Sequence, residues 1–491
     1  MQLYDKDLLS VQEVRELVDK AKTAQLELSQ KSQSEVDKIV RSIAYAGVRN
    51  AKRLAEMAHE ETGFGIVADK VIKNVFASRG VFEAIKDIKT IGEIAWDEEK
   101  QVRSIAIPVG IIAGIIPSTN PTSTTLYKAE IAIKAGNAIV FSPHPSALKC
   151  IIETVKVIRQ AVAEAGGNEN LVSCITIPTM QATENLMKHS DISMILATGG
   201  SAMVRAAYSS GTPAIGVGPG NGPAYIDRSA NLEAAVKAIM DSKTFDHGTI
   251  CASEQSVVCD EDMVEQVQKE MEKQGAYFLN EIERKKLGDF ILRANGTMNP
   301  MIVGKSVHTI ADLADIQIPE NARVLVAQEN GIGRDHPYSN EKLAPILAFY
   351  TAENYVKACE LCTEILHYEG AGHTFCIHSN DDKVIDYFSR RIPASRIVVN
   401  TPSALGGIGG TTGLMPSLTL GCGAIGGSAT SENVGPMNLL DIKRVAYGIR
   451  RMEDIRKEVS MEDAGMCFAT DINSVKIEEI VQKIIKRLQS A

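Results

Sequence analysis

Residues 111–145 read IIAGIIPSTNPTSTTLYKAEIAIKAGNAIVFSPHP, and their order decides the architecture. Ile111 to Ile116 is a short apolar run of strand length, the chain turns at Pro117 and Pro121, and a helical pattern follows from Thr124. Ala138 to Phe141 is then a second β-type run. Strand, helix and strand at this spacing make a βαβ unit, and its repetition predicts a doubly wound parallel sheet. Downstream, a helix over 146–165 and a strand over Met194 to Ala197 continue the alternation. A β-type run at Ala224 to Ile226 precedes the helix Leu232 to Met240, after which Phe245 to Cys251 reads as a loop and Ser256 to Val258 as a new strand. Upstream, from Val11 to about Ile94, apolar residues at three and four spacing (Val36, Ile39, Val40, Ile43) predict a helical opening.

The first domain boundary is placed near Ser242. Strands at Val324 to Ala327, Ala348 to Tyr350, Thr374 to Ile377 and Ile397 to Asn400 predict a second α/β domain. From Gly406 to Gly435 the chain holds ten glycines in thirty residues, a density that suits backbone packed closely around ligands. Leu414, Leu418, Leu420 and Ile425 within it are poor linker residues. Beyond a linker-like stretch from Met461, Ile472 to Leu488 places Val475, Ile480, Val481, Ile484 and Ile485 on one helical face. That face needs a partner surface or its own subunit.

At 491 residues the chain is too long for one core, and 44% apolar with 23% charged residues is an ordinary globular composition. A net charge of −9 with no long basic run lacks the electrostatic footprint of nucleic-acid or anionic-membrane binding. Charges at Asp5, Lys6, Asp7, Glu13, Arg15 and Glu16 interrupt any signal-peptide core. The longest apolar stretch, Val109 to Pro117, is about half of a membrane span. Nine scattered cysteines read as reduced thiols, which makes the cytoplasm the expected address.

Among candidate chemistries, Cys251 follows Gly248-Thr249-Ile250 in a loop and precedes an apolar strand. A turn there exposes its sulfur and aligns its own N–H, so a thiolate could attack a carbonyl carbon beside an oxyanion donor. Most cysteines of such a chain are small buried hydrophobes, the alternative for Cys251 as well. Asn120 leaves the strand Ile111 to Ile116 at the carboxyl end, where open α/β sheets bind ligands, and its amide can donate to an oxyanion. A turn asparagine satisfying its own backbone is the alternative. Thr198-Gly199-Gly200 lies between a strand and a helix, where a diphosphate could approach the helix N-terminus. Cys359 and Cys362 lack a second pair at zinc spacing, and no structural metal is predicted.

These segments resemble the CoA-acylating branch of the aldehyde dehydrogenase superfamily, with the aldehyde dehydrogenase half of the bifunctional aldehyde-alcohol dehydrogenases as nearest match. The resemblance rests on IIPSTNPTS (115–123), FSPHP (141–145), ILATGG (195–200), AYSSGTPAIGVGPGN (207–221), KTFDHGTICASEQSVV (243–258), EKLAP (341–345), GAGHT (370–374) and the segment from SLTLGCG to SENVGP (417–436). It implies an α/β aldehyde dehydrogenase-like fold: a Rossmann-type cofactor domain, an α/β catalytic domain and a small oligomerisation segment. The domain expectation is 1–242 for NAD, with an oligomerisation arm at 101–108; 243–420 for catalysis; 421–456 for oligomerisation; and 457–491 for linker and tail. It implies Cys251 as nucleophile and Asn120 as its partner in the oxyanion hole, with His373 assisting the CoA thiol. Ser142 and His144 fall where the family contacts adenosine ribose, Thr198, Gly199, Gly200 and Gly218 where it approaches the rest of the dinucleotide, and Glu341 where it holds the nicotinamide ribose.

Hydrolytic relatives activate water with a glutamate where Ile215-Gly216-Val217-Gly218 offers glycine here, so the acyl-enzyme is expected to wait for CoA. The resemblance thus implies oxidation of a short aldehyde, acetaldehyde first, to its acyl-CoA with NAD and coenzyme A, reversibly; propionaldehyde or sulfoacetaldehyde are the alternatives. No arginine flanks the ribose-contacting strand end, which favours NAD over NADP. A homo-oligomer is expected, and the tail resembles those that direct enzymes to the shell proteins of bacterial microcompartments. A scaffold or cargo adaptor without activity is the reading from another class, disfavoured by the intact Cys251, Asn120 and Glu341.

Overall fold

The computed structural model describes residues 5–458 and, beyond them, Val481. The helix predicted over 472–488, and with it the tail expectation, lies outside the described residues apart from that one position. The opening is helical: Lys6–Leu28, Gln33–Thr62 and Val67–Val75, the last continuing through a π-helical turn at Phe76–Gly80 into Val81–Ile85. The helical pattern predicted to about Ile94 stops at Ile85, and Gly92–Asp97 is a strand. Ser32 and Glu35 form a reciprocal cap on the second helix, which Gly63 ends in a left-handed conformation, so both its boundaries are written locally.

The chain divides into two compact units. The first runs to Ile91 and resumes over Ile107–Asp441; the second holds Gly92–Ala106 and resumes at Ile442. The first unit contains two parallel sheets. Five strands stand in the order Val172–Cys174, Ala138–Pro143, Ile111–Ile116, Ile192–Thr198 and Ala214–Val217. All six residues of Ile111–Ile116 are buried, because helices cover both faces and nothing alternates toward water. The strand order reverses between Ile111–Ile116 and Ile192–Thr198, which creates a crevice at their carboxyl ends. Beneath it Lys128, on the wholly buried helix Pro121–Lys134, donates to the carbonyls of Ile115 (2.7 Å) and Leu196 (2.8 Å), tying the two strands together.

The second sheet has seven parallel strands, ordered Ala276–Phe278, Val324–Gln328, Ile346–Ala352, Ser256–Asp260, Pro223–Ile226, Gly372–His378 and Ala394–Val399. The predicted runs at 324, 348, 374 and 397 all pair here. So does Pro223–Ile226, which lies before Ser242 in sequence; the chain changes sheets between Val217 and Pro223. Separate apolar clusters form the cores: one about the five-stranded sheet and one on each face of the seven-stranded sheet. A small fourth cluster gathers Val217, Ile250, Ala252, Leu420 and Cys422 around Cys251.

The second unit by itself pairs Gly92–Asp97 with Val102–Pro108 in an antiparallel hairpin turned at Gln101 (φ 51°), with Leu440–Ala446 as third strand. Trp96 and Tyr447 meet edge to face at 6.0 Å, with the Arg103 guanidinium over both rings. No helix among the described residues is long and apolar enough to cross a membrane. The described cysteines are all free, and Cys359 and Cys362 are buried on the helix Tyr355–Tyr368.

Candidate active site

The turn before the candidate nucleophile is bent against local preference. Asp246 (φ 47°) and His247 (φ 54°) take left-handed backbone angles before Gly248 (φ 73°), a conformation that non-glycine residues adopt only when their surroundings hold them there. What holds Asp246 is its buried carboxylate, which accepts from the Ile66 N–H (2.7 Å), Lys70 Nζ (3.0 Å), Thr249 Oγ1 (2.7 Å) and Lys73 Nζ. Its own N–H donates to Asp69 at 2.7 Å. The turn delivers Cys251 to the wall of a cleft of about 480 Å³.

Asn120 reaches the same cleft from the other sheet. It stands at the start of the helix Pro121–Lys134 but makes no capping bond to it, so its amide is not consumed by its own backbone. Asn120 Oδ1 accepts from Lys73 Nζ at 2.6 Å, and Nδ2 donates to the Thr249 carbonyl at 3.3 Å. The amide donor is therefore carried on the loop that ends in Cys251. Gly220 completes the crossing. A Cβ there would overlap the Cys251 carbonyl oxygen and stand 3.2 Å from His373 Cε1, so only glycine lets this backbone pass between the Cys251 carbonyl and the His373 ring.

Pro117, His144, Thr198, Gly199, Gly200, Gly218 and Glu341 also line the cleft. An adjoining pocket of about 150 Å³, sharing Pro117, His144, Thr198, Gly199 and Gly200, adds Ser142, whose hydroxyl pairs with Thr183 (2.8 Å). Gly200 begins the helix Ser201–Tyr208 without a side-chain cap, which leaves its first N–H groups open. A Cβ at Gly200 or Gly218 would meet nothing within 4 Å. This cradle fits a dinucleotide: an apolar slot, open glycines and an uncapped helix N-terminus at the reversal of strand order.

His373 is placed differently. It is fully buried and is not among the residues lining the cleft; Nδ1 pairs with Thr374 Oγ1 (3.0 Å) and Nε2 has no partner. Burial, and then the Arg396 guanidinium, lower its pKa to about 3, so the imidazole is neutral at physiological pH. The glycine-rich segment 406–435 does not itself line this cleft; its Leu420 and Cys422 pack with Cys251, and its Leu414, Met415 and Asn433 line a separate pocket of about 480 Å³. It wraps Arg396, which donates to the carbonyls of His373 (2.9 Å), Gly421 and Ser431.

Burial pushes the Cys251 thiol up to about 12, and the neighbouring Glu341 carboxylate adds to the effect. Glu341 is itself raised to about 8 by burial and by Glu369, and its Oε1 accepts the Gly220 N–H at 2.8 Å. Glu369 lines the cleft and accepts the Glu341 N–H at 2.7 Å. Sequence reasoning missed Glu369, although it directly precedes the GAGHT segment, and missed Lys73, Lys70 and Asp246. Asp246 had a local signal in the KTFDHGTIC stretch; Lys73, more than a hundred residues upstream on a helix rich in lysine, had none. Among the described residues no group of three or more His, Cys, Asp or Glu side chains could hold a metal ion.

The aldehyde dehydrogenase family model matches residues 3–413. The chain belongs to the aldehyde dehydrogenase family. Over 448 residues it is 44% identical to the bifunctional aldehyde-alcohol dehydrogenase of Escherichia coli, an alignment covering 90% of this chain and 50% of that protein. The chain thus spans about half the length of the curated aldehyde-alcohol dehydrogenases it matches. Among solved structures, a probable aldehyde dehydrogenase from Listeria monocytogenes superposes with a TM-score of 0.91 at 62% identity, covering 92% of this chain and 100% of that one. An acetylating aldehyde dehydrogenase from Geobacillus thermoglucosidasius gives 0.90 at 55% identity, covering 92% and 99%. The aldehyde dehydrogenase fold accounts for both sheets and the cleft.

Proposed function

We propose that this aldehyde dehydrogenase oxidises a short neutral aldehyde, acetaldehyde foremost, to its acyl-CoA with NAD and coenzyme A, reversibly. The observation that carries the reading is the convergence of the Cys251 loop and the Asn120 amide on a wall continuous with the dinucleotide cradle. Similarity to an acetylating relative supports the acyl-transfer half.

Cys251 Sγ attacks the aldehyde carbon as thiolate, and the thiol proton leaves to a base in the cleft. The oxyanion is held by the Cys251 N–H and Asn120 Nδ2, donors set in place before charge develops. A nicotinamide, when bound, supplies the acceptor for the hydride, and a thioester remains on Cys251. Ser142, His144, Thr198, Gly199, Gly200 and Gly218 are the residues for the adenosine and diphosphate, and Glu341 for the nicotinamide ribose. The CoA thiol then attacks the thioester carbon, and Cys251 departs and takes up the proton that the CoA sulfur loses, which conserves the acyl group provided water is not activated first. His373, neutral but behind the cleft wall, could take part only through a group in front of it.

Substrate charge follows from the lining. Neither the cleft nor the adjoining pocket is lined by any Lys or Arg, while Glu341 and Glu369 face the cleft. This disfavours an anionic aldehyde and, at the ribose, the additional phosphate of NADP. Propionaldehyde fits the same chemistry and sulfoacetaldehyde does not. Self-association through 101–108 and the segment after Gly421, and docking of the tail from 457 onward on shell proteins, complete the proposal. Shell binding that persists after truncation at Met461 removes the tail's role.

The deciding measurement is NADH formation from acetaldehyde and NAD with and without CoA. Dependence on CoA is expected. Equal turnover without CoA means that a cleft carboxyl, Glu341 or Glu369, activates water, and the acylating reading falls.

A further inference from the structure

We propose that Lys73 and Asp246 are positioning residues for the oxyanion hole, together fixing which face of the Asn120 amide is turned to the reaction and how far it stands from Cys251. This rests on the roles given above to Cys251 and Asn120.

Lys73 is 2% exposed on the helix Val67–Val75, and its three Nζ donors meet three partners: Asn120 Oδ1 at 2.6 Å, Thr249 Oγ1 at 3.3 Å and the Asp246 carboxylate. An ammonium can only donate, so the Asn120 oxygen must face it and the NH2 is left to donate to the Thr249 carbonyl (3.3 Å) and Thr119 Oγ1 (3.2 Å), both on residues that line the cleft. With the amide reversed, two sets of N–H groups would confront each other and the cleft would be offered an acceptor, which repels an oxyanion. The same ammonium draws electron density from the Asn120 carbonyl, which makes its NH2 a stronger donor.

Asp246 fixes the other donor. Its carboxylate binds Lys73, Lys70, the Ile66 N–H and Thr249 Oγ1, so one buried group joins the helix Val67–Val75 to the turn that ends in Cys251. Asn120, from the five-stranded sheet, and Cys251, leading into the seven-stranded sheet, are thereby referred to a single ion cluster. Gly65 is part of the fit, since a Cβ there would overlap the Asp246 carboxylate. Burial lowers Lys73 to about 8, with Asp246 the leading influence holding it charged.

The test is a double-mutant cycle on the full chain, read by CoA-dependent NADH formation, melting temperature and the rate of Cys251 alkylation by iodoacetamide, which passes through no oxyanion. K73M leaves Asp246 paired with Lys70. It is expected to lower kcat by roughly 10–100-fold, to leave alkylation within about twofold, and to add little to N120A, because its effect runs through that amide. Wild-type turnover in K73M overturns the proposal, as does a loss that multiplies fully with N120A or appears equally in alkylation, since each marks a general structural role. K73Q, which keeps a donor for the Asn120 oxygen without the charge, is the second variant; failure of both to fold assigns Lys73 to stability and also overturns it. If N120A itself retains wild-type turnover, the reading of Asn120 has failed instead.

Discussion

Cys251 carries the residue-scale predictions. Its thiol is pushed up to about 12, so in the ligand-free protein it is protonated at neutral pH and the thiolate fraction grows about tenfold per pH unit. Alkylation by iodoacetamide should therefore rise steadily from neutral to strongly alkaline pH; a plateau near pH 7 shows a thiolate already stabilised and refutes the burial argument. Cys251→Ala should lower CoA-dependent NADH formation by more than about 10³-fold without lowering the melting temperature. Asn120→Ala should cost about 10²–10³-fold in kcat, the usual loss for one oxyanion donor. Retained turnover in Cys251→Ala would return the protein to the scaffold reading.

At the scale of elements, two glycines separate packing from ligand binding. Gly220 threads between the Cys251 carbonyl and His373, and a methyl group there has no free space. Gly220→Ala should destabilise the fold by about 1–3 kcal/mol, the range for overpacking, and abolish turnover. Denaturant unfolding checks the first and the NADH assay the second. Gly200 has an ordinary φ of −65° and open space around it, so alanine there should leave the melting temperature unchanged. The methyl group would point into the cradle and should erase the stabilisation by NAD, which at about 100-fold its Kd amounts to ~2.7 kcal/mol. A variant that melts normally and still gains stability from NAD would displace the dinucleotide from this helix N-terminus.

The whole molecule supplies what neither sheet has alone. The nucleophile turn leads into the seven-stranded sheet, the amide and the dinucleotide cradle belong to the five-stranded one, and the cleft exists only where they face each other. Its electrostatics follow from both: neither sheet brings a Lys or Arg to the wall, and the two carboxyls there, Glu341 and Glu369, come from the larger sheet's connections with their pKa values raised by burial. Acetaldehyde should therefore be favoured over sulfoacetaldehyde by at least about tenfold in kcat/KM, a difference of about 1.4 kcal/mol. Initial rates with the two aldehydes decide this, and a preference for the sulfonate means that a cation reaches the substrate from outside the described cleft.

The sequence by itself determined most strands of both sheets, because a short apolar run of that length suits a buried parallel strand; Val172–Cys174, Ala214–Val217 and Ala276–Phe278, three or four residues each, were too short to stand out. It also located Cys251, Asn120 and the Gly199-Gly200 turn, since each belongs to a local pattern of turn, glycine and strand end that limits what the backbone can do, while Glu341 came from the family resemblance alone; all of them line the cleft. The sheet to which Pro223–Ile226 belongs was not legible, because a four-residue strand carries the same apolar pattern whichever neighbour it joins. The glycine-rich segment carries a related ambiguity: glycine density reports close backbone approach but not what is approached, and here the segment closes on Arg396 and, through Leu420 and Cys422, on the cluster that holds Cys251. Only the tertiary structure put His373 behind the wall and Glu369 on it, and only it brought Lys73 to Asn120 and Asp246, which lie 47 and 173 residues away along the chain. Periodicity reports which side of an element is buried; which buried group meets which is decided when the helices close over the sheets, and that contact leaves no trace in any local window.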